Sequence, residues 1–172
     1  KKTIFTREEV RHIIKESGET GVLADGEHKL LHRVFELNDK FAKEVMVTRD
    51  KIVAINADMG QDDIVRIITE EGHTRYPVYR HSIDNVIGII HSKAIINMLI
   101  NNPLFVLEDL MMEPYFVPED KEISKILAEF QQKGLHVAIV KDTHGAVSGL
   151  IQIKDILKVI FGELTEKTIP DL

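Results

Sequence analysis

His28 and His32 stand four residues apart, a spacing that would put both rings on one helix face, where a metal ion could join them. A zinc-protease pattern would need a glutamate directly after the first histidine, and Lys29 stands there. No third ligand is obvious, so the spacing argues against a metal. His12, His81, His136 and His144 read as surface or cleft-edge residues. Cysteine is absent, which excludes disulfides, thiolate catalysis and cysteine-based zinc sites. No nucleophile–base pair or carboxylate dyad stands out, so no enzyme activity is expected. Two charged residues remain. Arg75 carries a permanently charged fork suited to phosphate, and reads equally well as a surface arginine beside an edge strand. Asp155 falls where a first-turn carboxylate would stabilise a helix N-terminus.

The bulk properties narrow the setting. The net charge is −6 with no basic block, a poor match for the phosphate-dominated binding of nucleic acid. The 44% apolar and 29% charged content is that of an ordinary globular protein. With 172 residues the chain can bury a core as one domain, or as two small ones sharing an interface. No apolar run approaches the ~18 residues of a membrane span. Lys1-Lys2-Thr3-Ile4-Phe5 leads straight into a polar helix pattern, so no signal peptide is expected.

The elements that must position any site come from an internal repeat. Val86-Ile87-Gly88-Ile89-Ile90 and Val147-Ser148-Gly149-Leu150-Ile151 are apolar runs broken by one glycine, 61 residues apart. A helical pattern follows each, Ser92 to Ile100 and Ile153 to Phe161. An ungapped alignment sets Tyr76-Pro77-Val78-Tyr79 against Val137-Ala138-Ile139-Val140. Upstream, Ile52 to Ile55 reads as a strand, and Ile64, Val65, Ile67 and Ile68 as a helix between Gly60 and Gly72. Pro77 predicts that its strand is an edge or begins there, and Asp84-Asn85 is the expected turn. In the second copy Phe116 to Pro118 is a short strand, Asp120 a helix cap, and Asp142 to Gly145 a hairpin turn. Asn101-Asn102-Pro103 separates the copies.

Before them, Thr6-Arg7-Glu8-Glu9 has capping-box spacing and opens a helix; Asp25-Gly26 opens another. Their apolar stripes either pad the repeat core, or form a dimer contact or a joint to a preceding domain. The fold class is therefore α/β (α+β): two β-α-β-β-α repeats packed sheet against sheet with pseudo-two-fold symmetry, after a helical lead-in. The boundaries are 1–43 for the lead-in, 44–103 and 104–164 for the repeats, and 165–172 for a polar tail. Clefts between the copies are the natural pockets.

The duplicated pattern resembles a tandem cystathionine-β-synthase (CBS) domain pair, or Bateman module. It is similar in particular to the hemolysin C/CorC and cyclin M group of magnesium-transport-related membrane proteins. The carrying stretches are Glu44-Val45-Met46-Val47-Thr48-Arg49, Gly72 to Tyr79, Asp84 to Ile89, Pro114 to Glu119, and Gly149 to Gly162. The resemblance implies a cytoplasmic regulatory piece of a membrane-associated protein. It would control an attached magnesium/cobalt transport domain, form a homodimer, and bind an adenosine nucleotide, AMP or ATP, with Mg²⁺ on its phosphates. The alternative is a ligand-free structural dimerisation module of the same protein. In such pairs a hydroxyl after the glycine-bearing strand and an Asp three residues later hold phosphate and ribose. The second copy has Gln152 and Asp155 there, and the first has His91 and Ala94, so only the second keeps the carboxylate. The resemblance adds Val47, Thr48, His73, Arg75, Tyr76, Pro77, Phe116 and Leu150 to the nucleotide-binding set. Val47 and Thr48 stand where the group often has Thr-Pro, and backbone groups near Tyr115 to Val117 could read an adenine edge.

Overall fold

The computed structural model describes residues 5–101 and 106–162. The separator at Asn102-Pro103 and the polar tail lie outside them. The lead-in forms α1 (Arg7–Glu19), α2 (Asp25–Glu36) and a short α3 (Ala42–Val45). Thr6 and Glu9 close the expected capping box on α1, worth about 1 kcal/mol. Repeat one follows as β1 (Val47–Thr48), a 3₁₀ turn (Arg49–Lys51), β2 (Ile55–Asn56), α4 (Gln61–Glu71), β3 (Arg75–Arg80), β4 (Ser82–His91) and α5 (Ser92–Asn101). Repeat two has β5 (Phe116–Pro118), α6 (Ile123–Lys133), β6 (Val137–Lys141), β7 (Val147–Gln152) and α7 (Ile153–Phe161).

The sheets do not divide along the repeats. One runs β2-β3-β4 and the other β1-β7-β6-β5, so the first strand of repeat one belongs to the sheet of repeat two. Val47 pairs with Leu150 antiparallel. The reciprocal crossing is smaller: Met112 exchanges backbone bonds of 2.9 and 2.8 Å with Ile89 of β4. Both crossings pass over the glycines that mark the repeat. Met111 lies on Gly88, while Met46 and the Val47 carbonyl lie on Gly149. A side chain at either glycine would occupy that space, which accounts for one glycine in each apolar run.

Three apolar clusters hold the molecule. Ile55, Ile64, Ile68, Tyr76, Val78, Ile90 and Ile95 fill repeat one between sheet and helices. Val117, Ile123, Ile126, Phe130, Val140, Ile151 and Ile156 do so in repeat two. Val86 and Ile89 meet Val137, Ile139, Val147 and Leu150 where the sheets face each other. The lead-in adds Leu37 and Ala42 to the second cluster, and α2 packs on α7. The stripes of α1 and α2 are half-buried at Val10, Ile14, Leu31 and Phe35 and exposed at Ile13, Leu30 and Val34, and neither helix has a fully buried residue. Padding therefore describes only the end of the lead-in.

Several local expectations are corrected. Ile52 to Ile55 is not a strand; a 3₁₀ turn precedes it and pairing starts at Ile55. β3 is central, not an edge, despite Pro77. Pro77 faces Ile89, which turns its own N–H and carbonyl to Met112, so no bond is exchanged at that pair. On the other side β2 begins only opposite Val78, so the missing N–H of Pro77 leaves no partner unsatisfied. The hairpin turns at His81, in the left-handed region at φ 70°, rather than at Asp84-Asn85. The helix after Asp120 starts at Ile123, with Glu122 at its cap position and no side-chain cap. Val78 faces Gly88 and Val140 faces Gly149, so Val78 matches Val140, and Pro77 matches Ile139. The ungapped alignment thus slips by one residue ahead of the glycine strands, because repeat one has an extra residue in its bulged hairpin.

Candidate functional site

The crossing of β1 builds one cleft. β1 forms a wall over the Leu150 end of β7. β7 ends at Gln152, which leads directly into α7, and the Asp155 carboxylate turns back to accept the Gln152 N–H at 2.8 Å. The start of β3 supplies Arg75 and Pro77, with His73 just ahead of it.

Three adjoining hollows run along this junction. The outer one, of about 490 Å³, lies between Val45-Met46-Val47-Thr48, Lys51, and Asp155, Lys158 and Val159 of α7, with Lys40 at its rim. That volume is within the ~300–1,000 Å³ of ligand pockets. The middle one, of about 170 Å³, is bounded by Val47, Lys51, His73, Arg75, Leu150 and Gln152, with Pro77, Lys154, Asp155 and Lys158 completing it. The inner one, of about 220 Å³, continues past His73, Thr74, Arg75, His136, Gln152 and Lys154.

Charge along the cleft is uneven. Among the described residues Asp155 is the one carboxylate lining these hollows, against Lys40, Lys51, Lys154, Lys158 and Arg75. Burial raises the Asp155 pKa, opposed by the Gln152 N–H and by Lys154 and Lys158. Burial lowers the pKa of Arg75. Burial and then the Arg75 charge lower His136, and the same two causes, with Lys93 and His136 added, lower His91. Among the described residues cations outnumber carboxylates in each hollow, and the inner one is lined by Arg75 and Lys154 with no carboxylate.

Of the residues singled out from sequence, Val47, Thr48, His73, Arg75, Pro77, Leu150, Gln152 and Asp155 line this cleft. Tyr76 does not. Its ring is buried in the repeat-one core, and its hydroxyl accepts the His73 N–H at 2.8 Å, so it acts on the cleft only by holding His73. Phe116 does not either. It lies on β5, at the opposite edge of the sheet from β1, with its ring under the Lys141 ammonium at 4.5 Å. That strand pairs with β6 on one side, the Tyr115 carbonyl accepting from Ile139 at 2.8 Å, and it lies across the sheet from this cleft. Sequence reasoning missed Lys154 and Lys158, whose spacing around Asp155 on α7 was a usable signal. Lys40, Lys51 and Val45 gave none, because only the strand crossing brings them here.

A second hollow, of about 470 Å³, lies between α1 and α2. Its floor is apolar, and His12 and His32 at its rim reach Glu16 and Glu36 at 3.4 and 3.5 Å. Arg11, Lys15 and His28 also line it, and among the described residues the His28 Nε2 is buried without a hydrogen-bond partner. Among the described residues no group of three or more His, Asp or Glu is placed to hold a metal.

The CBS domain family model matches residues 42–101 and again 107–162, each ending with the helix that follows a glycine-bearing strand. The chain belongs to the CBS domain family, as a tandem pair. It is 34% identical over 167 residues to the UPF0053 protein YrkA of Bacillus subtilis, covering 94% of this chain and 38% of that protein. It is 33% identical over 162 residues to the magnesium and cobalt efflux protein CorC of Pasteurella multocida, covering 94% and 54%. The chain thus spans about half or less of these relatives. Among solved structures, the CBS domain of a bacterial CNNM/CorC family Mg²⁺ transporter in complex with an inhibitor superposes with a TM-score of 0.88 at 28% identity, covering 94% of this chain and 100% of that one. The CBS domain of that transporter family in complex with ATP gives 0.73 at 30%, covering 80% and 99%. A CBS-domain pair with bound AMP from Klebsiella pneumoniae gives 0.61 at 32%, covering 71% and 98%. Among the described residues no helix is long and apolar enough to cross a membrane.

Proposed function

We propose that this CBS pair is a non-catalytic regulatory module that binds an adenosine nucleotide in the β7–α7 cleft. The observation that carries the reading is the sequence of environments along the cleft. Val45, Met46, Val47 and Val159 give the outer hollow its apolar wall, with Lys40, Lys51 and Lys158 also lining it, and the Asp155 carboxylate and then Arg75, Lys154 and His73 follow. That order suits a base, a ribose diol and phosphates. Asp155 would accept the ribose hydroxyl protons, and Arg75 would take phosphate through its fork. Gln152, in place of a hydroxyl, can donate through its amide. The ATP and AMP complexes of similar CBS domains support a nucleotide ligand, and Mg²⁺ would ride on the phosphates. Repeat one has Ala94 where repeat two has Asp155, and buried Val137 of repeat two matches Arg75 by strand pairing, so one nucleotide per chain is expected.

The similarity to CorC supports a place on the cytoplasmic side of a magnesium or cobalt transport protein, with nucleotide occupancy shifting the packing of the module. A homodimer of modules is the expected assembly. The exposed Ile96 and Ile100 of α5 and Phe161 of α7 are 48%, 76% and 54% accessible and suit such a contact. They equally favour the second reading, a dimerisation module without ligand.

Calorimetry and thermal shift with AMP, ADP, ATP and ATP plus Mg²⁺ separate the two. A ligand at 100 times its Kd adds ~2.7 kcal/mol, a rise of about 5–11 °C in Tm for a chain of this size. Asp155→Ala should abolish that shift with the fold intact. No shift with any nucleotide, in a protein that dimerises, refutes the nucleotide reading.

A further inference from the structure

Besides the extra residue in its β3–β4 hairpin, repeat one is longer than repeat two at a second place, and that difference bears on the cleft. Strand pairing fixes the correspondences. Val47 faces Leu150 as Met112 faces Ile89, so Val47 matches Met112. Ile55 faces Val78 as Val117 faces Val140, so Ile55 matches Val117. Repeat one therefore carries three residues more between these points, the length of its 3₁₀ turn, Arg49–Lys51.

The turn is held from outside its own repeat. Arg49 donates to both carboxylate oxygens of Asp84, in β4, and to the Val147 carbonyl at 2.7 Å. Asp84 also accepts the Val147 N–H at 2.8 Å. This closed ring joins the turn, the sheet of repeat one and the first residue of β7, and it holds the Asp84 pKa at about 2, through the Arg49 bond first and the Val147 N–H second. At the other end of the turn, Lys51 lines the middle hollow together with His73, Arg75 and Lys154, the groups placed to take phosphate, and lines the outer one as well. Among the described residues no carboxylate forms an ion pair with Lys51. The adjacent Asp50 is engaged by the Thr48 hydroxyl, which lowers its pKa.

From this geometry we infer that Lys51 contacts the phosphates of the ligand bound in the cleft of repeat two, and that Arg49 and Asp84 are positioning residues that hold it there. The inference rests on the nucleotide reading for the identity of the ligand. Its physical basis is that a lysine is a flexible point charge, whose contribution depends on where its backbone is fixed. The backbone here is fixed by a ring of hydrogen bonds that touches no part of the cleft.

The test is calorimetry on the full chain with ATP, adenosine and inorganic tripolyphosphate, for wild type, Lys51→Ala, Lys51→Arg, Asp84→Asn and the Lys51→Ala/Asp84→Asn double variant. Lys51→Ala should weaken ATP about tenfold, the scale of one charge-assisted contact, and leave adenosine unchanged. Lys51→Arg should retain most of the ATP affinity. Asp84→Asn should weaken ATP but not adenosine, and the double variant should be no weaker than Lys51→Ala. A merely structural role for Asp84 would lower both ligands together, and would overturn the positioning claim. ATP affinity unchanged in Lys51→Ala overturns the inference and leaves the nucleotide reading intact. Wild type that binds tripolyphosphate in a Lys51-dependent way, but neither ATP nor adenosine, refutes the nucleotide reading and keeps the inference. Binding of none of the three overturns both.

Discussion

Replacing Gly149 by alanine should damage the fold more than the same change at Gly88, although the two glycines are counterparts in the repeat. A methyl at Gly149 would sit 2.6 Å from the Val47 carbonyl oxygen, with Met46 Sδ nearer still. That oxygen belongs to β1, whose pairing to β7 fixes its position, so the strand itself must move. A methyl at Gly88 meets only side-chain atoms of Met111, at 2.7 to 3.0 Å, beside a single bridge at Met112. Overpacking of this kind costs ~1–3 kcal/mol. Gly149→Ala belongs at the top of that range and Gly88→Ala near its bottom. At ~2–4 °C per kcal/mol, the expected falls in Tm are about 6–12 °C and about 2–4 °C. Thermal denaturation followed by circular dichroism reads both. Adding Met111→Ala should recover part of the Gly88→Ala loss, because it removes two of the three close atoms. Adding Met46→Ala should recover little at Gly149, because the carbonyl remains. Since Val47 walls the cleft, Gly149→Ala should also weaken nucleotide binding while Gly88→Ala does not. Equal losses at the two glycines, or full rescue by Met46→Ala, would refute the crossing argument.

Two further outcomes concern charge. Burial raises the folded-state pKa of Asp155, so the stability tied to its protonated form is complete below its unfolded value of ~3.9 and lost as pH rises through the folded value. Asp155→Asn keeps an acceptor for the Gln152 N–H; it should raise Tm at pH 7 without ligand and abolish the nucleotide-induced shift, and a lower Tm in the variant would contradict the burial argument. Asp84 behaves oppositely: its pKa falls to about 2, so its contribution is present above ~3.9 and lost as pH drops toward 2. Acid titration followed by circular dichroism should therefore show wild type and Asp84→Asn converging below pH 3, and a constant gap down to pH 2 would place the stabilisation elsewhere.

Much of the site was legible because it depends on local pattern. Asp155 follows the glycine-bearing strand at the N-terminus of α7 for reasons contained in some ten consecutive residues, and its absence from repeat one was visible as Ala94. The failures were non-local. Pro77 argued for an edge strand, but which side of β3 is bonded at that pair depends on Met112 taking the backbone of Ile89. Phe116 entered the set only through the resemblance, and its strand pairs on the far edge of the sheet from the cleft. Lys51 carried no signal at all, since its place follows from a turn tied to residues in both repeats.

The duplication, the sheet-on-sheet core and the asymmetry between the copies are written in local stretches of the chain. Each follows from periodicity, from turn chemistry, or from one residue compared with its counterpart. Three features arise only once the chain is packed: β1 leaves its own repeat, Met46 and Met111 cover the counterpart glycines, and a cationic cleft forms around Asp155 in a chain of net charge −6. Strand exchange between repeats is a competition between two similar sheet edges. Its outcome is set by which crossing packs and hydrogen-bonds better in three dimensions, a quantity no stretch of sequence contains.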